Sequence, residues 1–256
     1  LINLSHLSKK VSLFAVAIPL LLGASAANAG IMVYPMAMTV KNGNQNNLIK
    51  VFSKSDSTQY VKVTVKKVIN PGTAQEKDEP VASWQENNLI ASPNKIIVPA
   101  GSNKAVRLTQ IKAPQEETLY RVYFEGVSPA SVDVQQMEVT DQSGKTAKAA
   151  VSVNMVFAAL VRTMPDKPLA SIEASQNAQG QLVINSTGNI RAGVQAIDYC
   201  PQNTLSSGCD HQVVKKYVYP HQSYQAGTNS HHYPYAFITV SDETTPDQVS
   251  KISIKL

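Results

Sequence analysis

From Gly30 onward, apolar and polar positions alternate in short runs. Ile31 to Val40, Leu48 to Ser55, Gln59 to Ile69, Lys95 to Val98, Lys104 to Ile111, Thr118 to Val127 and Ala149 to Arg162 carry β-branched or aromatic residues in partial alternation, a two-residue period. That period puts successive side chains on opposite faces of a strand. Between the runs stand Lys41-Asn42-Gly43-Asn44, Asn70-Pro71-Gly72, Pro99-Ala100-Gly101-Ser102 and Asp141-Gln142-Ser143-Gly144, whose residue types form turns. No stretch after residue 29 keeps an apolar stripe at helical spacing. Short strands at this spacing predict an antiparallel sandwich.

The longest candidate strand, Ala147 to Val161, runs into Arg162-Thr163-Met164-Pro165-Asp166-Lys167-Pro168. Two prolines there stop a ladder, because proline has no N–H to donate. A domain boundary is placed at this point. Beyond it, Ala170 to Ala174, Gln181 to Asn185, Arg191 to Tyr199, Gln212 to Tyr219, Tyr233 to Val240 and Ser250 to Leu256 read as a second set of strands. The expected architecture is all-β, two β-sandwich domains in tandem, residues 30–164 and 165–256.

Residues 1–29 read as a secretory signal. Lys9 and Lys10 form the basic start, Val11 to Leu22 the apolar stretch, and Ala27-Asn28-Ala29 the small-residue cleavage site. The apolar run is shorter than the ~20 residues of a spanning helix, so the expectation is an exported protein without membrane insertion. The formal net charge of +5 includes both signal lysines, and the remaining basic residues are scattered, a poor match to a nucleic-acid surface. Cys200 and Cys209 are the only cysteines. In an exported chain, an even pair at short spacing is expected to form a disulfide, and two thiols alone fit zinc poorly.

Catalytic patterns fail in turn. After residue 29 the histidines are His211, His221, His231 and His232, all in turn-rich surroundings. There is no His-Glu-x-x-His pair, no Gly-x-Ser-x-Gly elbow and no phosphate-cradling glycine loop. His231 and His232 would point apart on a strand, and Glu116-Glu117 reads as a solvated or structural pair. The expectation is a protein that is not an enzyme and takes no cofactor or metal.

The run Lys148 to Pro165, with Val98 to Thr109 and Tyr120 to Glu125, resembles the periplasmic chaperones of the chaperone-usher pilus pathway. Met32-Val33-Tyr34-Pro35, Lys41 to Asn44, Val68 to Thr73 and Gly188 to Gly193 are similar to the alternate branch that serves class 5 fimbriae. The resemblance implies two immunoglobulin-like domains set as an L. It also implies a periplasmic location, pilus subunits (pilin and adhesin) and the outer-membrane usher as partners, and donation of the first domain's last strand to an incomplete subunit. A subunit lacking its final strand exposes an apolar groove and an open sheet edge, and a donated strand fills both.

Matching that strand back from Arg162 gives Val151, Val153 and Met155 as donor positions, with Ala149 and Phe157 on the same face. The residues alone leave open whether this face fills the domain's own core. Two positions where the family carries a basic pair for the subunit's terminal carboxylate hold Met38 and Ala158, so Lys41, Arg107, Lys112, Arg121 and Arg191 stand as candidates. Arg162 matches an arginine that bridges the two domains, with Glu117 and Asp242 as its expected partners. Self-dimerisation through the donor strand is a further expectation. The competing readings are an exported pilus subunit or adhesin, and an exported hydrolase.

Overall fold

The computed structural model describes residues 30–41, 43, 46–81, 89–127, 136–140, 146–150, 155–242 and 245–256. Every regular element among them is a β-strand. The predicted signal at residues 1–29, the turn at 141–144, and Val151 and Val153 lie outside the described residues.

The first half contains β1 (Ile31–Tyr34), β2 (Ala37–Val40), β3 (Leu48–Ser53), β4 (Gln59–Ile69), β5 (Lys77–Pro80) and β6 (Leu89–Ser92). It continues with β7 (Lys95–Val98), β8 (Asn103–Gln110), β9 (Thr118–Gly126), β10 (Gln136–Thr140), β11 (Thr146–Ala150) and β12 (Val156–Thr163). One sheet has the order β1-β3-β8-β6, the other β2-β12-β9-β4-β5 with β7 also on β4, and β10 and β11 pair as a hairpin. Period-two alternation supplies the core between the sheets. Ile31, Val33, Ile49, Val51, Val106 and Leu108 come from the first sheet, and Val61, Val63, Val122, Phe124, Ala159 and Val161 from the second. Each large side chain buried this way contributes about 1.5–3 kcal/mol.

The stretch Ile31 to Val40, read from sequence as one strand, is two. β1 pairs with β3 in the first sheet, and β2 runs parallel to β12 in the second. Pro35 stands between them without an N–H for either ladder, and the chain changes sheets there. Strands β5, β6 and β10 are additions that the alternation did not reveal. β5 is Lys-Asp-Glu-Pro and has no apolar face to find.

The second half contains β13 (Ile172–Gln176), β14 (Leu182–Ser186), β15 (Ala192–Cys200), β16 (Asp210–Val218), β17 (Ser223–Gln225), β18 (Tyr235–Asp242) and β19 (Thr245–Lys255). Sheets β13-β14-β17 and β16-β15-β18-β19 enclose a separate core that includes Ile184, Val194, Ile197, Tyr199 and Ile238. A register shift between Val194 and Ala196 changes which parity of β15 faces inward, from Ala192 and Val194 to Ile197 and Tyr199. Opposite it, Lys215 takes the left-handed conformation, φ 51°, as one residue of a bulge does. Cys200 and Cys209 form a disulfide across the β15–β16 turn. A third, small apolar cluster of Val68, Leu119 and Leu160 from the first half and Tyr219 from the second joins the two sandwiches.

Candidate functional site

Two features stand out where β12 meets its neighbours: an incompletely paired edge, and a buried polar junction at the strand's C-terminal end.

β9 pairs with β12 along its whole length, Val156↔Glu125 to Thr163↔Thr118. On the other side β2 pairs only with Leu160 to Thr163. The Leu160 N–H donates to the Met36 carbonyl at 2.8 Å, so by alternation the backbone groups of Ala158 and Val156 face the same side. Among the described residues no strand pairs with that side at 156–159. β1 is the edge strand of the other sheet. On β1, on the link to β2 and at the start of β12, Met32, Tyr34, Met36, Met155 and Val156 are exposed.

The predicted donor residues fall on this strand in part. Ala149 lies in β11, paired with Met137. Met155 is 47% exposed. Phe157 is half-buried against the first core, and Ala159 and Val161, of the same parity, are fully inside it.

At the other end of β12 the side chain of Glu117 is completely buried. One oxygen accepts the Arg191 backbone N–H at 2.8 Å. The other lies 3.5 Å from Arg162 Nη1 and 3.7 Å from Arg191 Nε. Arg162 also donates to the Thr39 hydroxyl at 2.8 Å, and Arg191 Nη1 donates to Tyr219 OH at 3.1 Å. The Arg191 guanidinium stacks on the Tyr217 ring at 3.9 Å, a cation–π contact. Burial, and then the Arg191 charge, push the Arg162 guanidinium below its ordinary range, while Glu117 opposes them.

Residues far apart in the chain thus lock the halves together. The Glu117 N–H donates to the Asn189 carbonyl at 2.8 Å, and Gln222 Nε2 donates to the Pro71 carbonyl at 3.1 Å. His221 contacts Glu116 at 2.6 Å. The expected Arg162–Glu117 pairing is present. Asp242 is half-buried at the end of β18, one residue past the Gly193↔Ser241 pair, which brings its backbone beside the Arg191–Ala192 segment. Arg191, Tyr217, Tyr219 and His221 were not assigned this role from sequence, because only the fold brings Arg191 and Tyr219 to Glu117.

The basic candidates separate clearly. Lys41, Arg107 and Lys112 are exposed, and Arg191 is spent at the junction. Arg121 on β9 binds Glu76 and Asp78, and Tyr123 donates its hydroxyl to Asp78. The Glu76 hydrogen bond, foremost, holds the Arg121 guanidinium above its ordinary range. Lys66 sits over the Tyr123 ring at 4.8 Å. Register places Ala158 next to Tyr123 and Thr64, and Leu160 next to Arg121 and Lys66. The sheet face beside Ala158 therefore carries cations on β9 and β4 rather than on β12. Met38 packs against the first core and presents no charge.

No family model matches the chain. It is 38% identical over 237 residues to an Escherichia coli protein that bears the name of a CFA/I fimbrial subunit, covering 93% of this chain and 96% of that one. A solved structure of the class 5 fimbriae chaperone CfaA superposes with a TM-score of 0.74 at 36% identity, over 88% of this chain and 100% of that one. A chain from a chaperone–tip adhesin complex of CFA/I fimbriae biogenesis gives the same TM-score at 34% identity, over 89% and 98% of the two chains. Two joined β-sandwiches, a half-paired last strand in the first, and this degree of identity over nine-tenths of the length have one reading: the chain belongs to the class 5 fimbrial chaperones of the chaperone-usher pathway.

Proposed function

We propose that this chaperone works in the periplasm, where it holds a fimbrial subunit by adding β12 to the subunit's open sheet and releases it to the outer-membrane usher. The first domain, 30–164, supplies the strand, and the second, 165–256, sets the cleft beside it. The observation that carries the reading is the stretch Val156 to Ala159, paired on one side only among the described residues. An edge left with free N–H and C=O groups recruits another strand.

Three of the chain's other edges support the contrast. β16 carries a bulge with Lys215 and Lys216, β5 is short and charged and ends in Pro80, and β7 opens on Lys95. Such devices discourage strand addition. Met155 and Phe157 have the parity of Ala159 and Val161, and the same parity in the sequence assigns Ala149, Val151 and Val153 to the expected donor face.

The test is Ala158→Pro in a chain co-expressed with a pilin or a tip adhesin in the periplasm. The Ala158 N–H faces the open side, where proline is tolerated at a sheet edge, so the protein stays folded. It loses a donor and gains a ring on the pairing edge, and we expect capture to fall at least tenfold. Val153→Arg, which puts a charge on the donor face, should do the same. Capture unchanged in both folded variants refutes strand donation.

A further inference from the structure

The chain has six methionines. Met38 packs against the first core and Met164 is buried. Met32, Met36 and Met155 are exposed at 38%, 43% and 47%, and they stand on β1, on the link from β1 to β2 and immediately before β12. The Met36 carbonyl accepts the Leu160 N–H. Met32 lies on the outward row of β1 with Tyr34, and Met155 immediately precedes β12. Two of these exposed thioethers, Met36 and Met155, belong to residues that adjoin the half-paired strand β12.

Thioethers on such a surface have two properties. They are flexible, polarizable and adaptable to differently shaped partners. They are also the side chains most readily oxidised once the cysteines are in a disulfide, as Cys200 and Cys209 are.

We infer that Met32, Met36 and Met155 form an oxidation-sensitive site that turns off subunit capture when a peroxide converts them to sulfoxides. In each event a sulfur lone pair attacks the peroxide oxygen, the O–O bond breaks, an S=O bond forms and water leaves. Sulfur loses two electrons and the peroxide gains them. The product is polar and chiral where an apolar, mobile group had been. The inference rests on β12 being the capture edge. Burying a sulfoxide against an apolar groove without a hydrogen-bond partner is unfavourable, enough to weaken capture by roughly tenfold or more.

The experiment treats the intact chaperone with hydrogen peroxide and maps added oxygen on each methionine by peptide mass. It then measures capture of a purified pilin by size-exclusion and by competition. Wild type is compared with the triple variant Met32→Leu, Met36→Leu, Met155→Leu, a volume-conserving change that cores and interfaces tolerate. The expected result is oxidation of the three residues before Met164, a tenfold or greater loss of capture by wild type, and capture by the oxidant-treated triple variant within twofold of its untreated level. A bound pilin should also slow oxidation of the three residues while leaving Met164 unchanged. Full capture by wild type with all three confirmed as sulfoxides overturns the inference, as does equal loss in the triple variant. Should the triple variant fail to capture before treatment, protection of the three methionines by bound pilin decides the matter, and its absence overturns the inference. No capture by untreated wild type refutes the capture-edge reading itself, and the inference falls with it.

Discussion

Replacing Glu117 by alanine removes the group on which the interdomain junction converges. Its carboxylate is fully buried and holds the Arg191 backbone N–H at 2.8 Å and the Arg162 guanidinium at 3.5 Å. Truncation leaves a buried donor unsatisfied and takes the negative partner from two neighbouring cations, and breaking such a buried pair costs about 3–5 kcal/mol. Arg162→Met, at the opposite end of the same contact, should behave differently. Burial and the neighbouring Arg191 already disfavour the Arg162 charge, so an apolar side chain of similar length relieves repulsion while forfeiting the contacts to Glu117 and Thr39. Glu117 keeps Arg191 Nε at 3.7 Å from the same oxygen, so its carboxylate is not left unpaired, and the cost expected is that of the lost hydrogen bonds, about 1 kcal/mol. In urea unfolding followed by far-UV circular dichroism, with a slope of ~2–3 kcal/mol per M, Glu117→Ala should lower the midpoint by about 1–2 M and Arg162→Met by about 0.5 M or less. Equal losses in the two variants, or a larger loss in Arg162→Met, would refute this account of the junction.

Three other outcomes are expected. Reducing the Cys200–Cys209 disulfide, which closes a loop of sequence separation 9, should cost about 2–3 kcal/mol by loop entropy, measured as the difference in urea midpoint with and without reductant. Gly188→Ala should lower stability by roughly 2 kcal/mol and the Tm by ~4–8 °C, because an added Cβ would lie 2.2 Å from the Leu169 carbonyl oxygen and 2.6 Å from the Ser171 nitrogen. Thermal melts decide it, and an unchanged Tm refutes the clash. The Glu76 carboxyl is held below its ordinary value of 4.5, first by the Gly72 backbone N–H and then by Arg121. Its folded pKa is depressed, so its stabilisation is complete above pH 4.5 and is lost as pH falls from there through the folded pKa. Glu76→Gln should reduce the acid-side loss in a stability-versus-pH series, and identical profiles refute the assignment.

Much of the fold was legible because period-two alternation reports a buried face directly. Gln59 to Ile69 and Lys95 to Val98 were read with the bounds the structure gives. The Asn70-Pro71-Gly72 and Pro99 to Ser102 turns contain positive φ at Asn70, Gly72 and Gly101, the conformation that asparagine and glycine accept. Strands without an apolar face, such as Lys77–Pro80, gave no signal. Pro35 was visible, but alternation continues across it and hid the change of sheet. At the junction, Arg162 and Glu117 could be paired by resemblance. Arg191 could not, since its partners come together through contacts 74 and 28 residues apart in sequence. Arg121 was a plausible anchor in sequence and is instead tied to Glu76 and Asp78, acids on and before a strand that alternation missed.

The buried Glu117 has a consequence for engineering this chaperone by domain exchange. It belongs to the first sandwich, yet it caps a main-chain N–H of the second and has its own N–H taken by the Asn189 carbonyl. Each half completes the other's hydrogen bonding. A chimera that joins the first sandwich of this protein to a foreign second sandwich must carry the main-chain course at 189–191 and the side chains of Arg191 and Tyr219 along with the graft. Without them, Glu117 stays charged in the first sandwich and loses the groups of the second that answer it.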